Sequence, residues 1–154
     1  MKNLKNRDLI GLLNEQVLEK KKPLLGICLG MQLLFTSSVE GGHNPGLGWI
    51  PGTVEYMDLD KYYRVPHVGW NDLHFRQPTT MFDSLGEDKN FYFVHSYHAV
   101  CPDKFIIATF EYSREFTAAV QYENIVGMQF HPEKSQDNGL KTLKQFIKWA
   151  KAYA

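Results

Sequence analysis

Apolar positions near the start of the chain recur at helical spacing, with Leu9, Leu12, Leu13, Val17 and Leu18 on one stripe and charges between them. The pattern predicts an amphipathic helix over residues 4–21, finished by Lys20, Lys21 and Lys22 and closed by Pro23. PLLGI follows as an all-apolar run of the sort that fills a buried parallel strand. Residues 31–38 then predict a second helix, stopped by Gly41 and Gly42. Helix, buried strand and helix in that order indicate an α/β unit.

The middle of the chain alternates instead. LGWIPGTVEYMDL, punctuated by Pro51 and Gly52, reads as a hairpin, and VPHVGWNDLHF as a further extended stretch. Residues 79–85 fit a single helical turn. NFYFVHSYHAV, FIIATFEY and FTAAVQYE are three strand-like runs at short spacing, which favours antiparallel pairing. NIVGMQF is one more strand and delivers HPEKS at its end. The last element is an amphipathic helix with Leu140, Leu143, Phe146, Ile147 and Ala150 on one face and Lys141, Lys144, Lys148 and Lys151 on the other. No repeat, linker or low-complexity segment interrupts residues 1–154, which read as one domain.

Composition narrows the class. A hydrophobic fraction of 44% and a charged fraction of 22% are ordinary for a soluble globular protein. Lys and Arg balance Asp and Glu at 17 each, so no global field argues for nucleic acid or an anionic membrane. No apolar run approaches a membrane span, and the charged start lacks the apolar core of a secretory signal. Cys28 and Cys101 are too few for a disulfide framework, which points to reduced thiols in the cytoplasm.

Two short motifs carry chemistry. Gly26-Ile27-Cys28-Leu29-Gly30 places a cysteine between glycines, after a strand and before a helix, in the manner of a nucleophile elbow. There the helix N-terminus is expected to lower the thiol pKa, and the Leu29 backbone N–H to face a developing oxyanion. A thiolate needs a base, and the base needs an orienting acceptor; His131-Pro132-Glu133, just past an apolar strand, offers both. His43, His67, His74, His98 and Cys101 show no metal-ligand spacing and read as structural or surface residues. No metal or cofactor is called for.

GICLGMQLLF, VPHVGWN, FVHSYHAV and GMQFHPEKSQ, in this order, resemble the class I glutamine amidotransferases, and among them the glutaminase-subunit (HisH) family of imidazole glycerol phosphate synthases. The resemblance runs along nearly the whole chain. It implies a flavodoxin-like α/β fold, a mixed sheet flanked by helices, and a Cys28–His131–Glu133 triad that hydrolyses L-glutamine to glutamate and ammonia. It also implies that Gln32 and Glu40 grip the amino-acid end of glutamine and that the His95-Ser96-Tyr97 backbone lines the same pocket. Trp70, Tyr92 and Lys134 fall where the family meets its partner, a HisF-like (β/α)₈ cyclase that forms a heterodimer with it. That cyclase uses the ammonia to make imidazole glycerol phosphate and AICAR in histidine biosynthesis.

The sequence departs from the family in one respect. The strand, helix, strand and PGVG-like loop with which the family begins have no counterpart, so the first βαβ unit, about fifty residues, is expected to be missing. PLLGI would then expose an apolar edge, and the chain alone would be poorly soluble or nearly inactive. Two other readings compete with the histidine pathway. HSYHAVC and EYSREF stand in place of a glycine-bearing YGG stretch, which suits a paralogue supplying ammonia for surface-polysaccharide amino sugars. Loss of the PGVG-like loop suits a catalytically impaired regulatory or binding subunit.

Overall fold

The computed structural model describes residues 1–153 and forms a mixed α/β architecture, as the alternation of patterns requires. The N-terminal stretch is not the continuous helix its spacing predicts. It forms α1 (Lys2–Asn6), α2 (Leu9–Asn14) and a π-helical turn, Glu15–Glu19. The break falls at Asp8, whose φ of 52° is left-handed, a conformation that a short polar side chain tolerates. Val17 is the one buried residue of this segment, while Leu12 and Leu18 stay exposed.

β1 (Leu24–Ile27) leads into α3 (Leu29–Gln32), which ends after one turn. The predicted second helix is therefore corrected: its second half is a strand, β2 (Phe35–Ser38), because the FTSS run is poor in strong helix formers. After β3 (Asn44–Pro45), the expected hairpin is instead one strand, β4 (Ile50–Tyr56). β4 pairs in parallel with β2, and the register slips between Phe35–Ile50 and Ser37–Thr53. Pro51 and Gly52 fall at that slip, so they mark a bulge and not a turn.

β5 (His67–Asp72), β6 (His74–Phe75) and the 3₁₀ turn Thr80–Phe82 follow, the turn capped by the Thr79 hydroxyl accepting from the Met81 N–H at 3.2 Å. The NFYFVHSYHAV run divides at Ser96 into β7 (Asn90–His95) and β8 (Tyr97–Val100), which enter different sheets. β9 (Ile106–Tyr112) and β10 (Arg114–Tyr122) make the expected antiparallel pair. β11 (Ile125–Met128) and α4 (Gln136–Tyr153) complete the described chain.

Three sheets result, ordered β1-β11-β10-β9-β6, β3-β2-β4-β8 and β5-β7. β1 runs parallel to β11, and the other pairs of the five-stranded sheet are antiparallel. β1 lies at the edge of that sheet, with a strand on one side only among the described residues. This corrects the expectation of a buried strand: Gly26 alone is buried, and Leu24, Leu25 and Ile27 are half-buried.

Two apolar clusters fill the interior. Phe91, Phe93, Phe110, Phe116 and Phe130 centre one, with Phe146 and Trp149 of α4 against it. Met31, Leu34, Phe35, Ile50 and Val54 centre the other. α4 turns Leu143, Phe146 and Ala150 of its predicted apolar face inward and its four lysines outward, but its most buried positions lie elsewhere. Asn138, Gly139 and Thr142 are buried, whereas Leu140 and Ile147 are 54% and 53% exposed. The cause is a backbone contact: a Cβ at Gly139 would stand 1.7 Å from the Pro132 carbonyl oxygen, so glycine lets the helix seat on that turn.

Candidate functional site

The parallel register of β1 and β11 brings the two motif-bearing segments side by side. Ile27 lies opposite Met128, and the Cys28 N–H donates to the Met128 carbonyl at 2.7 Å. The two strands thus end side by side, one carrying Cys28 and the other continuing through Gln129 and Phe130 to His131. Such a strand-end location is where open α/β sheets place their sites.

Cys28 occupies a strained backbone position, φ 49° and ψ −108°, between β1 and α3. The strain sits on the cysteine and not on its flanking glycines. Gly26 serves closeness: a Cβ there would lie 2.7 Å from the Gly30 carbonyl carbon and oxygen. Gly30 has open space around the same position.

The thiol pKa departs from expectation. Burial raises it, and Glu133 and Glu40 oppose the thiolate further; the Leu29 N–H bond to the sulfur and the Lys134 charge pull the other way without prevailing. A single-turn helix carries too little dipole to overcome desolvation. The Leu29 N–H favours the thiolate, as expected of the helix start, but by less than burial disfavours it.

His131 and Glu133 meet as predicted, Nδ1 to Oε1 at 2.6 Å. His131 is extended (φ −102°, ψ 92°), and Pro132-Glu133-Lys134 form a 3₁₀ turn that folds the carboxylate back onto the imidazole. β7 holds this turn in place. The His131 N–H donates to the Tyr92 carbonyl at 2.9 Å, and the Tyr92 N–H donates to Ser135 Oγ at 3.0 Å. Ser135 Oγ in turn donates to the His131 carbonyl at 2.7 Å.

A cleft of about 320 Å³ opens next to Leu29, lined also by Gln32, Leu33, Ser38, Glu40 and Asn44. Its size suits a small molecule. Neither Cys28, His131 and Glu133 nor His95, Ser96 and Tyr97 line it; Gln32 Nε2 donates to the Tyr97 carbonyl at 3.1 Å. The Ser96 carbonyl accepts from the Met57 N–H at 2.9 Å. A larger cavity of about 860 Å³, beside Phe75, Phe82 and Trp149, contains none of the predicted site residues.

Trp70, Tyr92 and Lys134 come together on the surface. The Trp70 and Tyr92 rings meet edge to face at 5.8 Å, and Lys134 Nζ lies 5.9 Å from the Tyr92 ring centre. Trp70 is 43% exposed, on β5 opposite Tyr92 of β7.

Two sets of buried polar contacts were not foreseen from the sequence, one around Gln129 and one around His67 and His95. Gln129 is fully buried, accepts from Gln32 Nε2 at 3.0 Å, and has its own Nε2 at 3.6 Å from Cys28 Sγ. His67 and His95 are buried with their rings linked Nδ1 to Nε2 at 3.4 Å, and Asn71 Nδ2 lies 2.9 Å from His67 Nε2. His95 Nδ1 reaches the Tyr97 carbonyl at 2.8 Å, which makes it the protonated nitrogen. Gln129 stood inside the GMQF motif; its polarity in an otherwise apolar strand was the available signal.

Comparison with known proteins agrees with this geometry. The profile of the family described as "Glutamine amidotransferase class-I" matches residues 8–149. The imidazole glycerol phosphate synthase subunit HisH 2 of Vibrio vulnificus (strain YJ016) is 60% identical over 151 residues, 98% of this chain and 71% of that protein. The subunit of the same name from Methanococcus maripaludis is 49% identical over 151 residues, 97% of this chain and 74% of that protein. A crystal structure of a glutamine amidotransferase superposes with a TM-score of 0.67 at 21% identity, covering 97% of this chain and 72% of that one, a likeness of fold. The strand-end cysteine, the His–Glu pair and these relatives together place the chain in the class I glutamine amidotransferase family, among the HisH subunits of imidazole glycerol phosphate synthase.

Proposed function

We propose that the chain hydrolyses L-glutamine through Cys28, His131 and Glu133, and that the ammonia goes to a (β/α)₈ cyclase partner making imidazole glycerol phosphate in the cytoplasm. The observation that supports this reading is the adjacency of the two strand ends, one carrying a strained cysteine and the other running on to a carboxylate-oriented histidine. Cys28 attacks the carboxamide carbon, and its thiol proton passes to the imidazole. His131 protonates the departing ammonia, leaving a thioester. It then takes a proton from water, whose oxygen attacks the thioester and releases glutamate and the thiol. Glu133 holds the imidazole by its Nδ1–H and stabilises the imidazolium between these steps.

Gln32 and Glu40, both in the 320 Å³ cleft, hold the amino-acid end of glutamine. Both N–H groups of the Gln32 amide are engaged, one by the Tyr97 carbonyl and one by Gln129 Oε1, so the amide turns its carbonyl to the ligand. An acceptor there, together with the Glu40 carboxylate, suits the α-ammonium of glutamine. The Leu29 N–H donates to the oxyanion that forms when the sulfur bonds to the carboxamide carbon. The partner docks over Trp70, Tyr92 and Lys134, an aromatic and cationic patch of the composition that interfaces favour.

Cys28→Ala should abolish glutamate production, assayed with the cyclase present, while leaving the circular dichroism spectrum unchanged. Comparable turnover in the alanine variant would remove Cys28 as the nucleophile.

A further inference from the structure

Gln129 is wholly buried at the end of β11, and its amide is the only side-chain group with a hydrogen bond to the Cys28 sulfur among the described residues. Its orientation is dictated from a distance. The Tyr97 carbonyl can only accept, so the Gln32 group 3.1 Å from it must be the amide nitrogen. That nitrogen also lies 3.0 Å from Gln129, which must therefore present its oxygen to Gln32. The amide of Gln129 is then left with its NH₂ facing Sγ, at 3.6 Å. His95 Nδ1–H occupies the Tyr97 carbonyl from the other side at 2.8 Å and holds that starting point still.

We infer that Gln129 is a positioning residue for the nucleophile, aimed by a one-way relay from the Tyr97 carbonyl through Gln32, and that it favours the thiolate of Cys28 by donating to its sulfur. This rests on Cys28 being the nucleophile. The chemistry is complementary in both protonation states. The thiol points at the Val94 carbonyl, 4.0 Å away; the thiolate can only accept, and the side-chain donor aimed at it is the Gln129 amide. The donation acts against burial and against the Glu133 and Glu40 charges, all of which disfavour the thiolate. The same relay links thiolate formation to the glutamine cleft, because Gln32 lines that cleft.

The test is the pH dependence of Cys28 alkylation by iodoacetamide, followed by mass spectrometry of the Cys28 peptide so that Cys101 does not interfere. Gln129→Met keeps the side-chain volume and removes the donor. Its alkylation midpoint should rise by about one pH unit or more, the worth of a hydrogen bond to a charged group. Gln129→Glu should raise it further, and Gln32→Met, which frees the Gln129 amide to turn over, should raise it by less. A residue that merely packs would change the plateau rate through access and leave the midpoint where it was. An unshifted midpoint in folded Gln129→Met overturns the inference. If Gln129→Met does not fold, the Gln32→Met profile decides in the same way. Alkylation needs no glutamine turnover, so an unshifted profile overturns the relay alone, whereas an active Cys28→Ala overturns the nucleophile.

Discussion

At the scale of single residues, the site depends on backbone positions that few side chains could share. Cys28 sits at φ 49° and ψ −108°, a costly conformation for a residue with a Cβ, and the parallel pairing with β11 and the packing of α3 hold it there. Gly26 makes that arrangement possible by letting the Gly30 backbone approach to a distance no Cβ could accept. Gly26→Ala should therefore destabilise the fold by about 1–3 kcal/mol, the usual cost of overpacking, and displace the elbow. Gly30→Ala, with nothing within 4 Å of its Cβ, should leave stability within about 0.5 kcal/mol of the parent. Urea denaturation of the two variants reads both outcomes. Equal losses would mean that the strain at Cys28, and not the close approach at Gly26, governs this turn.

At the scale of elements, the β5–β7 ribbon connects surface to chemistry. Trp70 of β5 lies opposite Tyr92 of β7, and the backbone of Tyr92 bonds to both His131 and Ser135. A partner pressing on Trp70 would thus bear on the strand that fixes His131, the proposed general base. Trp70→Ala should weaken association with the cyclase by about 2 kcal/mol or more if the indole is a buried anchor in the complex. The free chain should lose little stability, because the indole is already 43% exposed. Isothermal titration with the cyclase measures the first effect and thermal unfolding the second; unchanged affinity would place the interface elsewhere. α4 shows how an element can be foreseen and its most buried positions missed. Its helical span follows from periodicity, whereas its buried face follows from the seat that Gly139 makes on Pro132.

At the scale of the whole molecule, burial of polar groups ties stability to pH. Desolvation pushes the His67 and His95 pKa values down to about 4, so both are neutral in the folded chain, whereas in the unfolded chain they titrate near 6.5. Unfolding below pH 6.5 therefore takes up protons. The contribution of these two histidines should be level above that pH and fall between about 6.5 and 4, each contributing about 1.4 kcal/mol per pH unit at most. His67→Phe should flatten the slope by one proton in denaturant titrations across that window, and a slope equal to the parent's would show that His67 does not stay neutral when folded. His67 read from the sequence as structural or surface, and only the meeting of β5 and β7 shows that it is buried in hydrogen-bond contact with His95. The same division holds throughout. The chain by itself determined the elbow, the His–Pro–Glu turn, the strand runs and the family, because these depend on residue type and spacing over a few neighbours. The tertiary structure decided the rest: that FTSS is a strand, that Pro51 and Gly52 make a bulge, that the Cys28 thiol is harder to ionise than its helix suggests, and that Gln129 faces it. Those outcomes turn on which strands pair, how deeply a group is desolvated and where a neighbour's lone pair points, and contacts between residues far apart in the chain set all three.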